Sequence, residues 1–184
     1  MRHVPPKRLR MASLARLLPL LPLAASACTG HAEQSLASTR EPFIALERNF
    51  QGYQHWAGVE LANRPEPGGT HVAGETHEYI NHAPAAGAKA FPVGTILVKT
   101  VESQKKSDIF AMVKRGNGFN ASGASGWEWL GLRARADGSV AIVWRGVNPP
   151  DGESYGGDPR GGCNGCHGAA AKNDYVHAYS LSRR

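Results

Sequence analysis

The chain is poor in cysteine and, beyond its first 27 residues, poor in net charge. It has 3 cysteines in 184 residues, too few for a framework of several disulfides. Five of its 21 basic residues lie within the first 27 positions, where there is no acidic residue. The remainder carries 16 basic against 15 acidic residues, so it lacks the basic surface typical of nucleic-acid-binding proteins. We therefore expect no nucleic-acid partner.

The apolar segment near the N-terminus is too short to span a membrane. It runs from Leu14 to Leu23 and is interrupted by Arg16 and two prolines, whereas a bilayer core of about 30 Å needs a longer apolar helix. Basic residues precede it, and Ala24 to Ala27 follow it as a run of small residues. This order is typical of a secretory signal peptide. We predict a signal peptide at residues 1–27 and a periplasmic or otherwise exported protein.

Cys28 directly follows the predicted cleavage site. Two interpretations remain open: ordinary cleavage that leaves Cys28 as the first mature residue, and lipid attachment at Cys28 that anchors the protein to a membrane. Residues 28–40 are predicted to be a linker and residues 41–184 a single domain. A mature chain of about 157 residues buries roughly 68 to 70% of its unfolded surface, so it can fold without disulfides.

The two remaining cysteines form one motif, Cys163-Asn164-Gly165-Cys166-His167. Two cysteines three positions apart, followed at once by histidine, are typical of c-type haem attachment. The thiols bond to the porphyrin vinyl groups and the imidazole binds the iron, so His167 is the candidate metal ligand. The alternatives are a disulfide and a redox dithiol. Export favours haem, because c-type haem is attached outside the cytoplasm.

The hydrophobic pattern predicts an α+β fold, mainly an antiparallel sheet with one N-terminal helix. Apolar residues at mixed three- and four-residue steps indicate an amphipathic helix over Glu41 to Asn63. Asp137-Gly138 indicates a hairpin turn, and residues 172–181 fit either a short helix or a strand. The predicted strands are His77 to Asn81, Gly94 to Glu102, Ile109 to Lys114, Trp127 to Arg133 and Val140 to Arg145.

The order of these segments resembles the cytochrome P460 family and its relatives, the β-sheet cytochromes c′-beta. The resemblance covers roughly residues 43–181. The segments that carry it are Phe91 to Lys99, Met112 to Lys114, Trp127 to Trp129, Asp137-Gly138, the Cys163 to His167 motif and Asp174 to Val176.

This resemblance implies a periplasmic homodimer with haem c, five-coordinate iron and an electron-acceptor protein as partner. Cytochromes P460 oxidise hydroxylamine and carry a lysine bonded covalently to the porphyrin. The c′-beta relatives lack that bond and bind nitric oxide in an apolar pocket. Lys99 matches the cross-linking lysine, and Lys114 is the reserve candidate.

Lys99 alternates with Leu97 and Val101, which predicts that it lies on an apolar face of its strand. A lysine there is unfavourable unless it is modified, paired or able to reach solvent. The other face, with Ile96 and Val98, fits the core equally well. The pattern leaves open which face is the core.

Glu128 lies between Trp127 and Trp129, with Leu130 on its own face of the strand. Burial beside apolar residues makes a carboxylate a better proton acceptor near neutral pH. By resemblance, Glu128 is the candidate catalytic carboxylate that accepts protons from hydroxylamine. The alternative is a solvated glutamate between core tryptophans.

Three functions follow as hypotheses. The first is a redox enzyme acting on hydroxylamine or a related small nitrogen species, with His167 as axial ligand and Glu128 as base. The second is a cytochrome that binds nitric oxide without turnover. The third is an electron carrier, for which Met112, the only methionine beyond the signal peptide, is the candidate second ligand.

Overall fold

The computed structural model describes residues 41–61, 75–102, 107–157 and 162–181, all within the unit Ala37–Arg184. The predicted signal peptide, the linker and Cys28 lie outside these residues. In the described ranges the chain forms strands β1 Ala57–Leu61, β2 Glu75–Ile80, β3 Ile96–Glu102, β4 Ser107–Lys114, β5 Trp127–Ala134 and β6 Val140–Gly146. Its helices are α1 Gly162–Gly168 and three 3-10 helices, Glu47–Phe50, Tyr53–His55 and Ala171–Asn173.

The six strands form one antiparallel sheet in the order β1-β2-β3-β4-β5-β6. Each strand pairs with its neighbour in sequence, so the predicted antiparallel sheet is confirmed. The predicted Asp137-Gly138 turn connects β5 and β6. There Gly138 has a φ of +80°, and the Asp137 carboxylate accepts a hydrogen bond from the Ser139 backbone N–H at 2.9 Å. Asp and Gly favour such turns for these two reasons.

The prediction of one long helix over Glu41 to Asn63 is wrong in the described part of that segment. Two short 3-10 helices and strand β1 occupy it. Gly52 lies between the two helices in the left-handed conformation, with a φ of +68°, which ends the first helix. The apolar residues that mimic a helical period instead bury Phe50 and Tyr53 separately, while β1 pairs with β2.

Both faces of the sheet are covered by apolar clusters. Because successive side chains of a strand alternate between faces, neighbours along β3 belong to different clusters. We call the face that packs against α1 the motif face and the other the opposite face. The motif face buries Leu97, Met112, Trp127, Trp129 and Trp144 and packs against Cys163. The opposite face buries Phe50, Tyr53, Ile96, Val98, Val113 and Leu130.

The C-terminal segment returns along the motif face. After α1 and the 3-10 helix Ala171–Asn173, residues 174–181 form neither a regular helix nor a strand. Val176 is buried in the motif-face cluster, and Tyr175 and Leu181 pack against it. None of the helices in the described ranges has the length and apolarity needed to cross a membrane.

Candidate functional site

Helix α1 carries both cysteines and the histidine of the motif. Cys163 is half-buried against the motif-face cluster, whereas Cys166 is exposed. Both are free thiols, so they do not form the alternative disulfide. Burial raises the pKa of the Cys163 thiol to about 12. A redox dithiol has a lowered thiol pKa, so the environment of Cys163 is unlike that of a redox dithiol.

The His167 ring is oriented by a backbone carbonyl. Its Nδ1 lies 2.7 Å from the Tyr175 carbonyl oxygen. A carbonyl only accepts hydrogen bonds, so Nδ1 carries the proton and the lone pair of the neutral ring is on Nε2. The ring also lies beside Trp129, with 4.6 Å between ring centroids, and beside His177 at 5.1 Å. Histidines that bind metals are held in this way, with the second nitrogen donating to a carbonyl or carboxylate.

Asn164, between the two cysteines, fastens α1 to the sheet. Its Oδ1 accepts hydrogen bonds from the Asn120 side chain at 2.7 Å, the Trp129 Nε1 at 2.9 Å and the Ala124 N–H at 3.1 Å. Its Nδ2 donates to Asn120 Oδ1 at 3.1 Å and to the Val147 carbonyl at 3.0 Å. The sequence analysis assigned Asn164 no role, because its partners are 17 or more residues away and no spacing pattern reports them.

Gly123 permits this close packing. A Cβ atom on Gly123 would lie 2.5 Å from the Asn164 amide and 2.7 Å from Asn120 Oδ1. No ordinary side-chain contact is that short, so the glycine is required for the hydrogen-bonded group to form. This explains one glycine in the glycine-rich stretch that sequence reading treats only as a long loop.

Lys99 lies on the motif face. It is half-buried on β3 and stands in register with Glu78 on β2 and Phe110 on β4. The predicted apolar neighbours Leu97 and Val101 are both buried, so the expectation of an apolar strand face around Lys99 is confirmed. The structure thus brings Lys99 to the face that carries the motif.

A chain of contacts leads from the strand next to Lys99 to the start of α1. Phe110 packs against Tyr155, with 5.2 Å between ring centroids. A Cβ atom on Gly162 would lie 3.3 Å from the Tyr155 carbonyl oxygen. Tyr155 therefore lies between Phe110 and the first residue of α1.

Lys114, the reserve candidate for the cross-link, is also on the motif face. Its Nζ lies 2.6 Å from Asp174 Oδ1, and both side chains are nearly buried, 12% and 10% exposed. The same amine lies 4.9 Å from the Trp127 ring centroid. Its charge is therefore balanced within the protein by the Asp174 carboxylate.

Glu128 lies on the opposite face, away from the motif. Its side chain is 2% exposed, and its oxygens lie 2.6 Å from Arg145 Nη2 and 3.2 Å from Arg115 Nη1. Arg145 Nε donates a second hydrogen bond at 2.8 Å, and hydrogen bonding to Glu128 raises the pKa of Arg145. Burial beside Leu130 is as expected, but the structure does not bring Glu128 to the motif. The role of Glu128 as proton acceptor stays a prediction.

A pocket of about 270 Å³ opens beside the aromatic part of the motif face. Phe110, Gly131 and Trp144 line it from the sheet, and Glu153 and Ser154 line it from the loop before the motif. The Trp144 indole lies directly over Gly131, where a Cβ atom would collide with it. The lining of this pocket combines aromatic side chains with the charged residues Asp108, Arg133 and Glu153.

The residues on the motif face fit a haem c group. Two thiols lie on one short helix, and one of them is directed into an apolar, tryptophan-rich cluster. In the adjacent imidazole the lone pair is on Nε2, because Nδ1 donates to the Tyr175 carbonyl. These are the attachment groups and the oriented axial ligand that a c-type haem needs.

Comparison with known proteins agrees with this chemistry. The family model described as Cytochrome P460 matches residues 50–178, a span that includes all six strands and the whole motif. No curated protein and no solved structure gives a significant match. Since the matched span covers most of the chain, the protein is a haem-binding member of the cytochrome P460 family.

Proposed function

We propose that the haem is of the c type, bonded to Cys163 and Cys166, with His167 as the axial ligand of the iron. The observation that carries this proposal is the 2.7 Å contact between His167 Nδ1 and the Tyr175 carbonyl. It fixes the tautomer and the ring orientation that iron binding requires. The arrangement of both thiols beside this ring supports the same assignment.

The proposed activity is the oxidation of hydroxylamine or a related small nitrogen species, with electrons passed to an acceptor protein. When bound, the haem iron supplies a coordination position and one-electron redox chemistry. The chain itself holds the axial imidazole, and Trp129 of the motif face packs beside the ring. Membership of the cytochrome P460 family supports this activity.

A covalent bond between Lys99 and the porphyrin is part of this proposal. The half-buried position of Lys99 on the motif face, between the buried Leu97 and Val101, supports it. We propose that this bond is what separates an oxidising enzyme from a cytochrome that only binds gas.

One observation favours a second function, nitric oxide binding without turnover. The carboxylate expected to accept protons, Glu128, lies on the opposite face and is paired with two arginines. The motif face around Trp129 and Met112 is apolar, which suits a small uncharged ligand. The third function, electron transfer, would use the buried Met112 as second ligand.

The proposed site of action is the periplasm or the exterior of the cell. The signal peptide pattern at residues 1–27 supports export, and the position of Cys28 supports a lipid anchor. Detergent partitioning of the full chain and its Cys28→Ala variant tests the anchor. Partition of the wild type alone into detergent is the expected result, and identical aqueous behaviour would contradict it.

The absorption spectrum of the reduced protein, followed by turnover with hydroxylamine and an artificial acceptor, tests the activity. A reduced Soret band far to the red and steady turnover are expected. An ordinary c-type spectrum, no turnover and tight nitric oxide binding at five-coordinate iron would replace the enzyme with the gas-binding cytochrome. A six-coordinate reduced spectrum that Met112→Ala abolishes would indicate the electron carrier.

A further inference from the structure

The carbonyl that orients His167 belongs to a strained turn. Asp174 and Tyr175 are consecutive residues with positive φ, +53° and +66°. Residues other than glycine rarely adopt this conformation, and two in succession persist only where surrounding contacts hold them. The contacts that hold this turn therefore determine where the Tyr175 carbonyl points.

Asp174 supplies most of these contacts. Its Oδ1 pairs with Lys114 Nζ at 2.6 Å, and its Oδ2 accepts the Phe91 backbone N–H at 2.8 Å. Its carbonyl accepts the Trp127 Nε1–H at 2.8 Å. The turn is thus tied to β4, to β5 and to the segment before β3, which are rigid parts of the fold.

The burial of Lys114 and Asp174 marks their pair as more than a surface contact. At 12% and 10% exposure each charge depends on the other for compensation, because water reaches neither fully. A flexible surface pair holds little in place, whereas a buried pair fixes both side chains. Trp127 adds to this by packing beneath the ammonium group at 4.9 Å.

We infer that Lys114 and Asp174 form a positioning pair for the axial histidine. The pair holds the Asp174–Tyr175 turn, the turn holds the Tyr175 carbonyl at His167 Nδ1, and that hydrogen bond makes Nε2 more basic. A more basic axial ligand stabilises ferric over ferrous iron. The pair thereby lowers the reduction potential of the centre by acting through the Tyr175 carbonyl. The inference rests on the proposed role of His167 as iron ligand.

The test removes both charges at once while keeping the shapes of the side chains. In the holoprotein, the double variant Lys114→Met/Asp174→Asn is compared with Lys114→Arg, which retains the ion pair. We expect the double variant to have a higher reduction potential and a lower iron–histidine stretching frequency in the resonance Raman spectrum of the ferrous protein. The Lys114→Arg variant should stay near the wild type in both.

A matched control removes the buried pair on the opposite face. The double variant Glu128→Gln/Arg145→Met loses an ion pair on the face of the sheet opposite to Tyr175. It should lower thermal stability yet leave the potential and the stretching frequency unchanged. A shift common to both double variants would mean that general loosening, and not positioning, is responsible, and it would overturn the inference.

Different results would overturn the positioning role of the Lys114–Asp174 pair and the proposed haem attachment. A folded, haem-loaded Lys114→Met/Asp174→Asn variant with wild-type potential and stretching frequency would overturn the inference alone. Absence of covalent haem from the wild type would overturn the proposed function. In that case the ¹⁵N chemical shifts of the His167 ring test the positioning directly. A protonated Nδ1 in the wild type and a mixture of tautomers in the double variant support it, and identical tautomers refute it.

Discussion

Replacement of Asn164 by alanine tests whether the helix that bears the motif is fastened as the structure indicates. The change removes the Asn164 Oδ1, which accepts three hydrogen bonds, and the Asn164 Nδ2, which donates two. Asn120 keeps the Trp127 carbonyl as a partner. Trp129 Nε1 and the Ala124 N–H lose theirs, and Trp129 and Ala124 are 3% and 0% exposed.

A buried polar group left without its hydrogen bond costs about 1–3 kcal/mol. Two such donors predict that Asn164→Ala lowers the free energy of unfolding by roughly 2–6 kcal/mol. Asn164→Asp keeps the oxygen that accepts the three hydrogen bonds and should lose less. The measurement is guanidinium unfolding followed by far-ultraviolet circular dichroism, with haem content determined on the same samples.

Asn81→Ala is the matched control. That asparagine also joins two backbone groups, the Gly94 carbonyl at 3.0 Å and the Ile96 N–H at 2.9 Å, and both are at the start of β3 and not on α1. The Asn81→Ala protein should be less stable but keep its full haem content, whereas Asn164→Ala should lower both stability and haem content. An Asn164→Ala protein within about 0.5 kcal/mol of the wild type, the usual range for neutral surface changes, with full haem content, would refute the reasoning.

Three further outcomes are expected. Lys99→Arg should keep both thioether bonds and restore an ordinary c-type spectrum, because guanidinium is a poor nucleophile; an unchanged spectrum would exclude the cross-link. Glu128→Gln should lower the free energy of unfolding by about 1–3 kcal/mol. This is less than the loss of about 3–5 kcal/mol expected when a fully buried ion pair is broken, because both arginines are partly exposed. Turnover should stay nearly intact. Turnover slowed by 10²- to 10⁴-fold in the folded variant would restore Glu128 as the proton acceptor. In haem-free protein, Cys163 should react with iodoacetamide at pH 8 roughly 10³-fold more slowly than an ordinary cysteine, as mass spectrometry of the labelled peptides would report; equal labelling of Cys163 and a model peptide would contradict its burial.

The sheet was predictable because its signals are local. The strands around Leu97, Met112 and Trp129 show β-rich composition and turn residues between them, and they pair in sequence order. The helix predicted before β2 was wrong because apolar residues such as Phe50 and Tyr53 recur there at helical intervals. Only the packed structure reveals that Gly52 takes a left-handed conformation and ends the turn there.

In the candidate site, too, the residues that are close in sequence were predictable and the long-range contacts were not. The motif of Cys163, Cys166 and His167 is contiguous, so its chemistry follows from the sequence. The environment of Glu128 is set by Arg145, 17 residues away, and by the pairing of β5 with β6. Alternation predicted two apolar faces on β3, and both proved to be buried, so periodicity alone did not identify the face that packs against the motif.

The intact mass of the protein tests the central claim most directly. The full chain is produced in a periplasm that assembles c-type cytochromes, together with a Cys163→Ser/Cys166→Ser variant. The account predicts that the wild type exceeds its polypeptide mass by one haem under denaturing conditions and that the variant carries none. A wild-type mass equal to that of the polypeptide, with both thiols still titratable, would contradict it.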